Sequence, residues 1–235
     1  MKTYVLVHGA WHGGWCWYKV VPLLEKEGHQ VEAPDMPGHG RDKTPILEIT
    51  FEACVQRVCG IIDAQPEPVI LVGHSWGGHI ITQAAEYRPE KIKLLVYLTA
   101  FLVASGEPML QLGKDSILMP NVIVSEDQSY TTVRADAIKE IFYHDCSDED
   151  LALAKLLLVP QVRDSLVPSK NTEQNFGRIP RVYIECLQDK TITPSRQKEM
   201  YTRLPCQKVI SMNTSHSPFF SAPVELAKNL ISLAD

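Results

Sequence analysis

Residues 69–78 read Val-Ile-Leu-Val-Gly-His-Ser-Trp-Gly-Gly, a run of buried-strand residues that leads into a Gly-x-Ser-x-Gly motif. Gly73 and Gly77 suit a turn too tight for side chains, and such a turn between a strand and a helix is typical of a serine nucleophile. The strained turn predicts that the Ser75 hydroxyl is pushed into solvent above the sheet edge. The backbone N–H of Trp76, at the helix N-terminus, is a candidate donor to an oxyanion. A chance match in a glycine-rich loop is the alternative, and the flanking strand and helix argue against it.

The composition and charge are those of an ordinary globular protein. A length of 235 residues fits one large domain, or one domain with an insertion. The formal net charge of −5 argues against nucleic acid or an anionic membrane as the main partner. We find no signal peptide, no apolar run of membrane-spanning length, and no Cys-x-x-Cys pair among the six cysteines. We therefore expect reduced thiols, a cytoplasmic location, a small-molecule partner, and a monomer or homodimer.

Segments with strand character alternate with segments of helical spacing over most of the chain. The predicted strands are Thr3–Val7, Gln30–Ala33, Val69–Gly73, Ile92–Leu98, Arg181–Cys186 and Gln207–Met212. The predicted helices are residues 17–27, residues 51–62, a segment that begins at Gly77, residues 194–203 and residues 223–234. This alternation predicts an α/β fold with a mostly parallel sheet of about six strands, flanked by helices on both faces.

The alternation stops between residues 104 and 176, where only short segments remain. We interpret residues 104–176 as an inserted cap, and residues 1–103 and 177–235 as the core. Ser147 and Asp150 resemble a capping box that begins a helix within the cap. An apolar cap could line a pocket for apolar or aromatic ligands, although packing within the protein explains the same side chains about as well. The candidate lining residues are Trp11, Leu110, Leu118, Phe142, Tyr143 and Leu156.

Two polar residues follow late strands of the predicted sheet. A serine hydroxyl is a poor nucleophile at pH 7 and needs a base, which in turn needs an orienting group. Asp189 lies just after the strand that ends at Cys186, and His216 lies just after the strand that ends at Met212. Both positions are at the carboxyl ends of parallel strands, where α/β sheets place their sites. We predict that His216 accepts the Ser75 proton and that Asp189 fixes the histidine tautomer.

Each member of this triad has another interpretation. Taken singly, His216 could be a surface-loop histidine and Asp189 a turn residue; taken together with the serine motif, they favour a triad. Glu185 is the main rival acid, although it lies inside the strand pattern, and Glu107 is a weaker rival near an earlier strand end.

The loop after the first strand should supply the second oxyanion donor. Its candidate is the N–H of Ala10, and the neighbouring Trp11 either lines the pocket or packs in the core. His8 and His12 are four residues apart, as helical metal ligands are, but the loop is glycine-rich and no Glu follows His8. We therefore expect no metal and no cofactor.

With these residues placed, the chain resembles α/β-hydrolases of the plant methylesterase (salicylate-type) and hydroxynitrile lyase group, and related bacterial carboxylesterases. The resemblance covers most of the chain and includes four sequence blocks. These are residues 5–10 with 12–15, residues 72–75, residues 146–154, and residues 181–184 with 189–190. It implies an α/β-hydrolase fold with an inserted cap, and a Ser75, Asp189 and His216 triad served by the amides of Ala10 and Trp76.

The predicted reaction is hydrolysis of a small apolar or aromatic carboxylic ester through an acyl-serine intermediate. Two alternatives stay open: a hydroxynitrile lyase on the same triad, and a ligand receptor that keeps the triad but turns over slowly. Lyases of this group carry a threonine near the oxyanion loop and a lysine directly after the catalytic histidine, where this chain has Gly9 and Ser217. The chain also departs from the plant esterases at Trp76, usually leucine, and over residues 109–133, so the substrate does not carry over.

Overall fold

A computed structural model describes residues 1–107, 115–163 and 167–234. Six parallel strands form its central sheet, in the order β2-β1-β3-β4-β8-β9. Their bounds are β1 Thr3–Val7, β2 Gln30–Glu32, β3 Val69–His74, β4 Ile92–Leu98, β8 Arg181–Cys186 and β9 Lys208–Met212. Every residue of β1 and β3 is buried, as expected of strands covered by helices on both faces. The predicted α/β fold with a parallel sheet of six strands is confirmed.

Helices connect and cover these strands. Their bounds are α1 Val21–Lys26, α2 Phe51–Asp63, α3 Gly77–Tyr87, α4 Ile138–Phe142, α5 Asp148–Leu157, α6 Pro194–Arg203, α7 Pro218–Ser221 and α8 Pro223–Ile231. The helix predicted over residues 17–27 is wrong at its start. Gly14–Trp17 form a short 3-10 helix, and α1 begins only at Val21. Pro22 explains the difference: proline lacks an N–H and its ring clashes with the preceding turn, so it is tolerated only at a helix start. No helix within the described ranges is both long and apolar enough to cross a membrane.

The strand register brings five strand ends to one edge of the sheet. Val7 of β1 pairs with Gly73 of β3, and Leu98 of β4 pairs with His74 on one side and Ile184 on the other. The last pair of β8 and β9 joins Cys186 to Met212. Because β1, β3, β4, β8 and β9 are consecutive neighbours, the loops that follow them converge at this edge, which is where open α/β sheets bind ligands.

A second, antiparallel sheet lies between β4 and β8 in sequence. Its strands are β5 Val122–Val124, β6 Tyr130–Val133 and β7 Gln161–Val162, in the order β5-β6-β7. Together with α4 and α5 it occupies the segment interpreted as a cap, whose boundaries at residues 104 and 176 stay a prediction.

Asp150 ties this segment to the core. Ser147 accepts a hydrogen bond from the Asp150 N–H (3.1 Å) and so begins α5, as the sequence predicts. The Asp150 side chain does not complete a capping box; instead it accepts hydrogen bonds from Tyr18 (2.9 Å) and Lys19 (2.6 Å) of the core. A carboxylate that is only 2 % exposed needs such partners, because an unpaired buried charge is costly.

Candidate active site

Ser75 occupies a strained turn between β3 and α3. Its backbone has a φ of 52°, a left-handed conformation that costs a non-glycine residue about 1–3 kcal/mol. The flanking glycines make the turn possible. A Cβ on Gly73 would lie 2.7 Å from the carbonyl carbon of Gly77, and a Cβ on Gly77 would lie 2.6 Å from the Val7 oxygen. The two glycines are therefore required by close backbone approach, as the motif predicts.

The Ser75 side chain is buried and not pushed into solvent. It is only 7 % exposed, so the expectation of a solvent-facing hydroxyl is wrong. Gly9, in the loop after β1, lies against it, since a Cβ on Gly9 would be 2.9 Å from the Ser75 Cβ. The candidate oxyanion loop therefore packs against the serine so closely that no side chain fits at Gly9. Water has little access to the Ser75 side chain.

Asp189 and His216 form a buried pair. The Nδ1 atom of His216 lies 2.6 Å from Oδ2 of Asp189, and the two residues are 1 % and 3 % exposed. The N–H groups of Thr191 (2.6 Å) and Ile192 (3.1 Å) donate to the other carboxylate oxygen. Because a carboxylate oxygen accepts hydrogen bonds, the Nδ1 of His216 carries the proton that bonds to Asp189. The Nε2 of His216 is left to accept a proton. Thr99 donates a further hydrogen bond to Oδ2 of Asp189.

The two rival acids are engaged elsewhere. Glu185 accepts hydrogen bonds from Tyr201 (3.1 Å) and Ser211 (2.7 Å), and Glu107 pairs with Arg203. Neither is a partner of His216, so among the acids considered from the sequence the structure brings only Asp189 to this histidine.

Thr99 is a site residue that sequence reasoning missed. It follows β4 directly and has a φ of 36°, so it too is strained. A polar residue at the carboxyl end of a central parallel strand was the available signal.

A neutral histidine, His8, holds the candidate oxyanion loop. His8 Nδ1 lies 2.8 Å from the Gly9 carbonyl oxygen, and its Nε2 accepts the Met36 N–H at 3.0 Å. The backbone donor on Nε2 assigns the proton to Nδ1, which therefore donates to Gly9. Gly9 C=O and Ala10 N–H belong to one planar peptide unit, so this bond also fixes the direction of the Ala10 N–H. Burial holds the pKa of His8 well below its ordinary value, which keeps the ring neutral.

The chain matches the model of the alpha/beta hydrolase family over residues 4–229. It belongs to the alpha/beta hydrolase family. Methylesterase 1 of Arabidopsis thaliana is 36 % identical over 100 % of this chain and 96 % of its own length. The pyrethroid hydrolase of Sphingobium wenxiniae is 33 % identical over 98 % of this chain and 87 % of its own length. The crystal structure of polyneuridine aldehyde esterase superposes with a TM-score of 0.87 and 29 % identity, covering 100 % of both chains.

In this alpha/beta hydrolase, part of the predicted pocket lining lies beside the His216 ring. The Phe142 ring lies 5.7 Å from the His216 ring and 6.0 Å from the Trp11 ring, measured between centroids. Leu118 is buried and follows Ser116, whose hydroxyl donates to the Thr191 carbonyl (2.7 Å) beside the acid loop. Phe142 and Trp11 are therefore placed near the site, and Leu118 is buried in the segment that contacts the loop after β8.

The structure does not place the other lining candidates around the site in the same way. Leu156 is 82 % exposed, so its predicted place in the lining is wrong: it lies on the solvent-facing side of α5. Tyr143 is fully buried, but its hydroxyl bonds to His12 (2.5 Å). Leu110 lies outside the described residues. Trp76 is buried at the start of α3, where its N–H was expected.

Six of the eight histidines of this chain are buried. Within the described residues, no group of three or more His, Cys, Asp or Glu side chains is arranged to hold a metal ion. Besides His216, five histidines are buried: His8, His12, His39, His74 and His79. Burial lowers the pKa of His79 to about 4 and that of His12 to about 3, so both are neutral near pH 7.

Because burial lowers the pKa of these histidines, we expect the free energy of unfolding to fall in mild acid. The unfolded chain takes up a proton on His79 near pH 6.5, but the folded chain does so only near pH 4. The contribution of His79 to the free energy of unfolding should therefore be fully present above pH 6.5. It should be lost by about 1.4 kcal/mol per pH unit as the pH falls from 6.5 to 4. The measurement is Tm against pH for the wild type and His79→Gln. A variant with the same slope as the wild type would contradict the assignment.

Proposed function

We propose that this chain is a serine carboxylesterase that hydrolyses small apolar or aromatic esters through an acyl-serine intermediate. The observation that carries the proposal is the buried Asp189–His216 bond of 2.6 Å at the sheet edge where the strained Ser75 turn also lies. Its relatives support ester hydrolysis, since those compared are named methylesterase 1, pyrethroid hydrolase and polyneuridine aldehyde esterase. The chain is an ester hydrolase, and its serine mechanism and substrate class are the finer parts of this proposal.

The proposed mechanism assigns one role to each group. His216 Nε2 takes the Ser75 proton as Oγ attacks the ester carbonyl, and Asp189 stabilises the imidazolium that forms. The N–H groups of Ala10 and Trp76 donate to the oxyanion of the tetrahedral intermediate. The intermediate collapses, His216 protonates the leaving alcohol, and the acyl group stays on Ser75. Water, deprotonated by His216, then releases the acid and restores the serine. The residues give every proton a donor and an acceptor.

The substrate class follows from the side chains around the triad. The Phe142 ring lies beside His216, the Trp11 ring packs against Phe142, and the Ser75 side chain is 7 % exposed. An apolar, water-poor pocket favours apolar or aromatic acyl or alcohol groups over charged ones. Small molecules are the proposed partners. A cytosolic location also stays a proposal, supported by the six free thiols.

Turnover of a chromogenic ester tests this function directly. We expect the purified protein to release p-nitrophenol from p-nitrophenyl acetate and p-nitrophenyl benzoate with saturation kinetics. A receptor that keeps the triad but turns over slowly would instead bind esters and show at most a single stoichiometric burst. Absence of steady-state turnover across an ester library would contradict the proposal.

The lyase alternative predicts a different product and is tested with mandelonitrile. A lyase must stabilise departing cyanide, which a lysine after the catalytic histidine would do; here that residue is Ser217, which carries no charge. The lyase threonine has no room either, because a Cβ on Gly9 would already lie 2.9 Å from the Ser75 Cβ. Losing a charge-stabilising group costs about 3 kcal/mol or more in the transition state. We expect ester turnover and no cyanide release above background. Cyanide release at a rate comparable to ester turnover would contradict this.

A further inference from the structure

The oxyanion loop is held from outside by the segment between β4 and β8. The Trp11 N–H donates to Oε1 of Gln161 (3.0 Å), and the Trp11 carbonyl accepts the Val159 N–H (2.9 Å). The Trp11 indole N–H donates to the Thr131 carbonyl (3.1 Å). Trp11 has a φ of 62°, an unfavourable conformation for so large a residue. A strained residue persists only where its surroundings enforce it, and here the enforcing groups come from that segment.

His12 extends this support to Ala10. Its Nδ1 lies 2.7 Å from the Ala10 carbonyl oxygen, which can only accept, so Nδ1 carries the proton. Its Nε2 is then an acceptor and faces the Tyr143 hydroxyl at 2.5 Å. Tyr143 follows α4 directly, and both side chains are buried. Neither group titrates near neutral pH, because burial lowers the pKa of His12 to about 3 and raises the pKa of Tyr143 well above its ordinary value. The pair is built to hold a position and not to move a proton.

Both peptide units that meet at the Ala10 Cα are therefore fixed. His8 holds the unit that carries the Ala10 N–H, through the Gly9 carbonyl (2.8 Å). His12 and Gln161 hold the next unit, through the Ala10 carbonyl (2.7 Å) and the Trp11 N–H (3.0 Å). A planar peptide leaves only two soft dihedral angles per residue, so these contacts set the direction of the Ala10 N–H.

We infer that Tyr143 and Gln161 are positioning residues for the oxyanion hole, so that the segment between β4 and β8 supports the chemical step as well as shaping a pocket. The inference rests on the proposed function. Without the Tyr143 hydroxyl, nothing in the described part of the chain donates to His12 Nε2, so the ring loses one of the two hydrogen bonds that hold it in place. The ring can then turn, which weakens the remaining hydrogen bond from Nδ1 to the Ala10 carbonyl oxygen. Ala10 is released from its fixed direction, and its N–H no longer points reliably at the oxyanion.

Tyr143→Phe is the decisive variant, because it removes one oxygen and keeps the ring. Tyr4→Phe is the matched control: it removes another buried tyrosine hydroxyl, which donates to the Leu230 carbonyl (2.9 Å) on α8. Four quantities are measured on active-site-titrated enzyme: kcat and KM for p-nitrophenyl acetate, the Ki of an aryl trifluoromethyl ketone, and Tm. The ketone binds Ser75 as an oxyanion, so its affinity reports on the oxyanion hole, whereas KM reports mainly on ground-state binding.

For Tyr143→Phe we expect kcat and the affinity for the ketone to fall together by about tenfold, a part of the 10²- to 10³-fold cost of losing one oxyanion donor. KM should be nearly unchanged. Tyr4→Phe should lower Tm about as much as Tyr143→Phe does, and it should leave kcat and Ki as in the wild type. Gln161→Met, which removes the acceptor of the Trp11 N–H, should reproduce the parallel fall in kcat and ketone affinity and serves if Tyr143→Phe does not fold.

Three outcomes would overturn the inference, the last two because they indicate a general structural effect. One is a Tyr143→Phe enzyme whose kcat and Ki stay within about twofold of the wild type. The others are a loss of kcat with unchanged ketone affinity, and an equal loss in Tyr4→Phe. A wild-type protein that turns over no ester would instead refute the proposed function, which is a separate result.

Discussion

Ser75→Ala is expected to lower kcat for ester hydrolysis by about 10⁶, the scale on which subtilisin responds to loss of its nucleophile. The proposed acyl-enzyme of Ser75 cannot form without this hydroxyl, and the adjacent His74 is held away through the bond between its Nε2 and the His216 carbonyl (2.8 Å). Residual turnover should come only from the oxyanion donors and from substrate binding.

The same variant should fold normally, even though Ser75 does not face solvent as the sequence predicts. The side chain is buried, so exposure cannot make the change harmless. Serine and alanine both carry a Cβ, however, so the strain of the 52° φ angle is the same in both. Only one oxygen is lost, and we expect a change in the free energy of unfolding of about 1 kcal/mol or less.

Steady-state kinetics and covalent labelling together test Ser75. A fluorophosphonate should add one adduct to the wild type, detected by intact mass, and none to Ser75→Ala. Ser232→Ala, at the exposed end of α8, is the control and should behave as the wild type in both assays. An alanine variant that keeps more than a few per cent of the wild-type rate would exclude Ser75 as the nucleophile.

The features that sequence reasoning predicted well are local. β4 and β8 have the predicted bounds because each is a short, mainly apolar run rich in strand-forming residues. Asp189 and His216 could be placed because each follows a strand, and parallel strand ends share one edge. The start of α5 was predictable because Ser147 bonds to a residue three positions away.

The features that it missed depend on contacts between distant parts of the chain. Tyr143 and His12 are 131 residues apart, and Trp11 and Gln161 are 150 apart, so no periodicity links them. The burial of Ser75 likewise depends on what covers the turn, which the strand–turn–helix pattern does not specify. Leu156 fits an apolar helix pattern in sequence, but only the packing of α5 decides which of its faces meets solvent.

Asp189→Asn should lower kcat by about 10⁴, as the same change does in trypsin. Oδ1 of Asp189 accepts the N–H groups of Thr191 (2.6 Å) and Ile192 (3.1 Å). An asparagine must keep its oxygen at that position, which places its NH₂ group opposite His216. The amide then donates to Nδ1, and the histidine proton moves to Nε2, the nitrogen that must accept the Ser75 proton. The variant keeps the shape of the site but holds its base in the wrong tautomer.

Glu185→Gln is the matched control, since it makes the same chemical change in the rival acid. Glu185 bonds to Tyr201 of α6 and Ser211 of β9, and a glutamine oxygen can still accept one of these bonds, so kcat should stay near that of the wild type. His216→Ala should be at least as damaging as Asp189→Asn, because it removes the base itself. If Glu185→Gln proves the damaging change and Asp189→Asn the mild one, the acid of the triad is Glu185. The bond from His216 to Asp189 would then be structural, with no part in turnover.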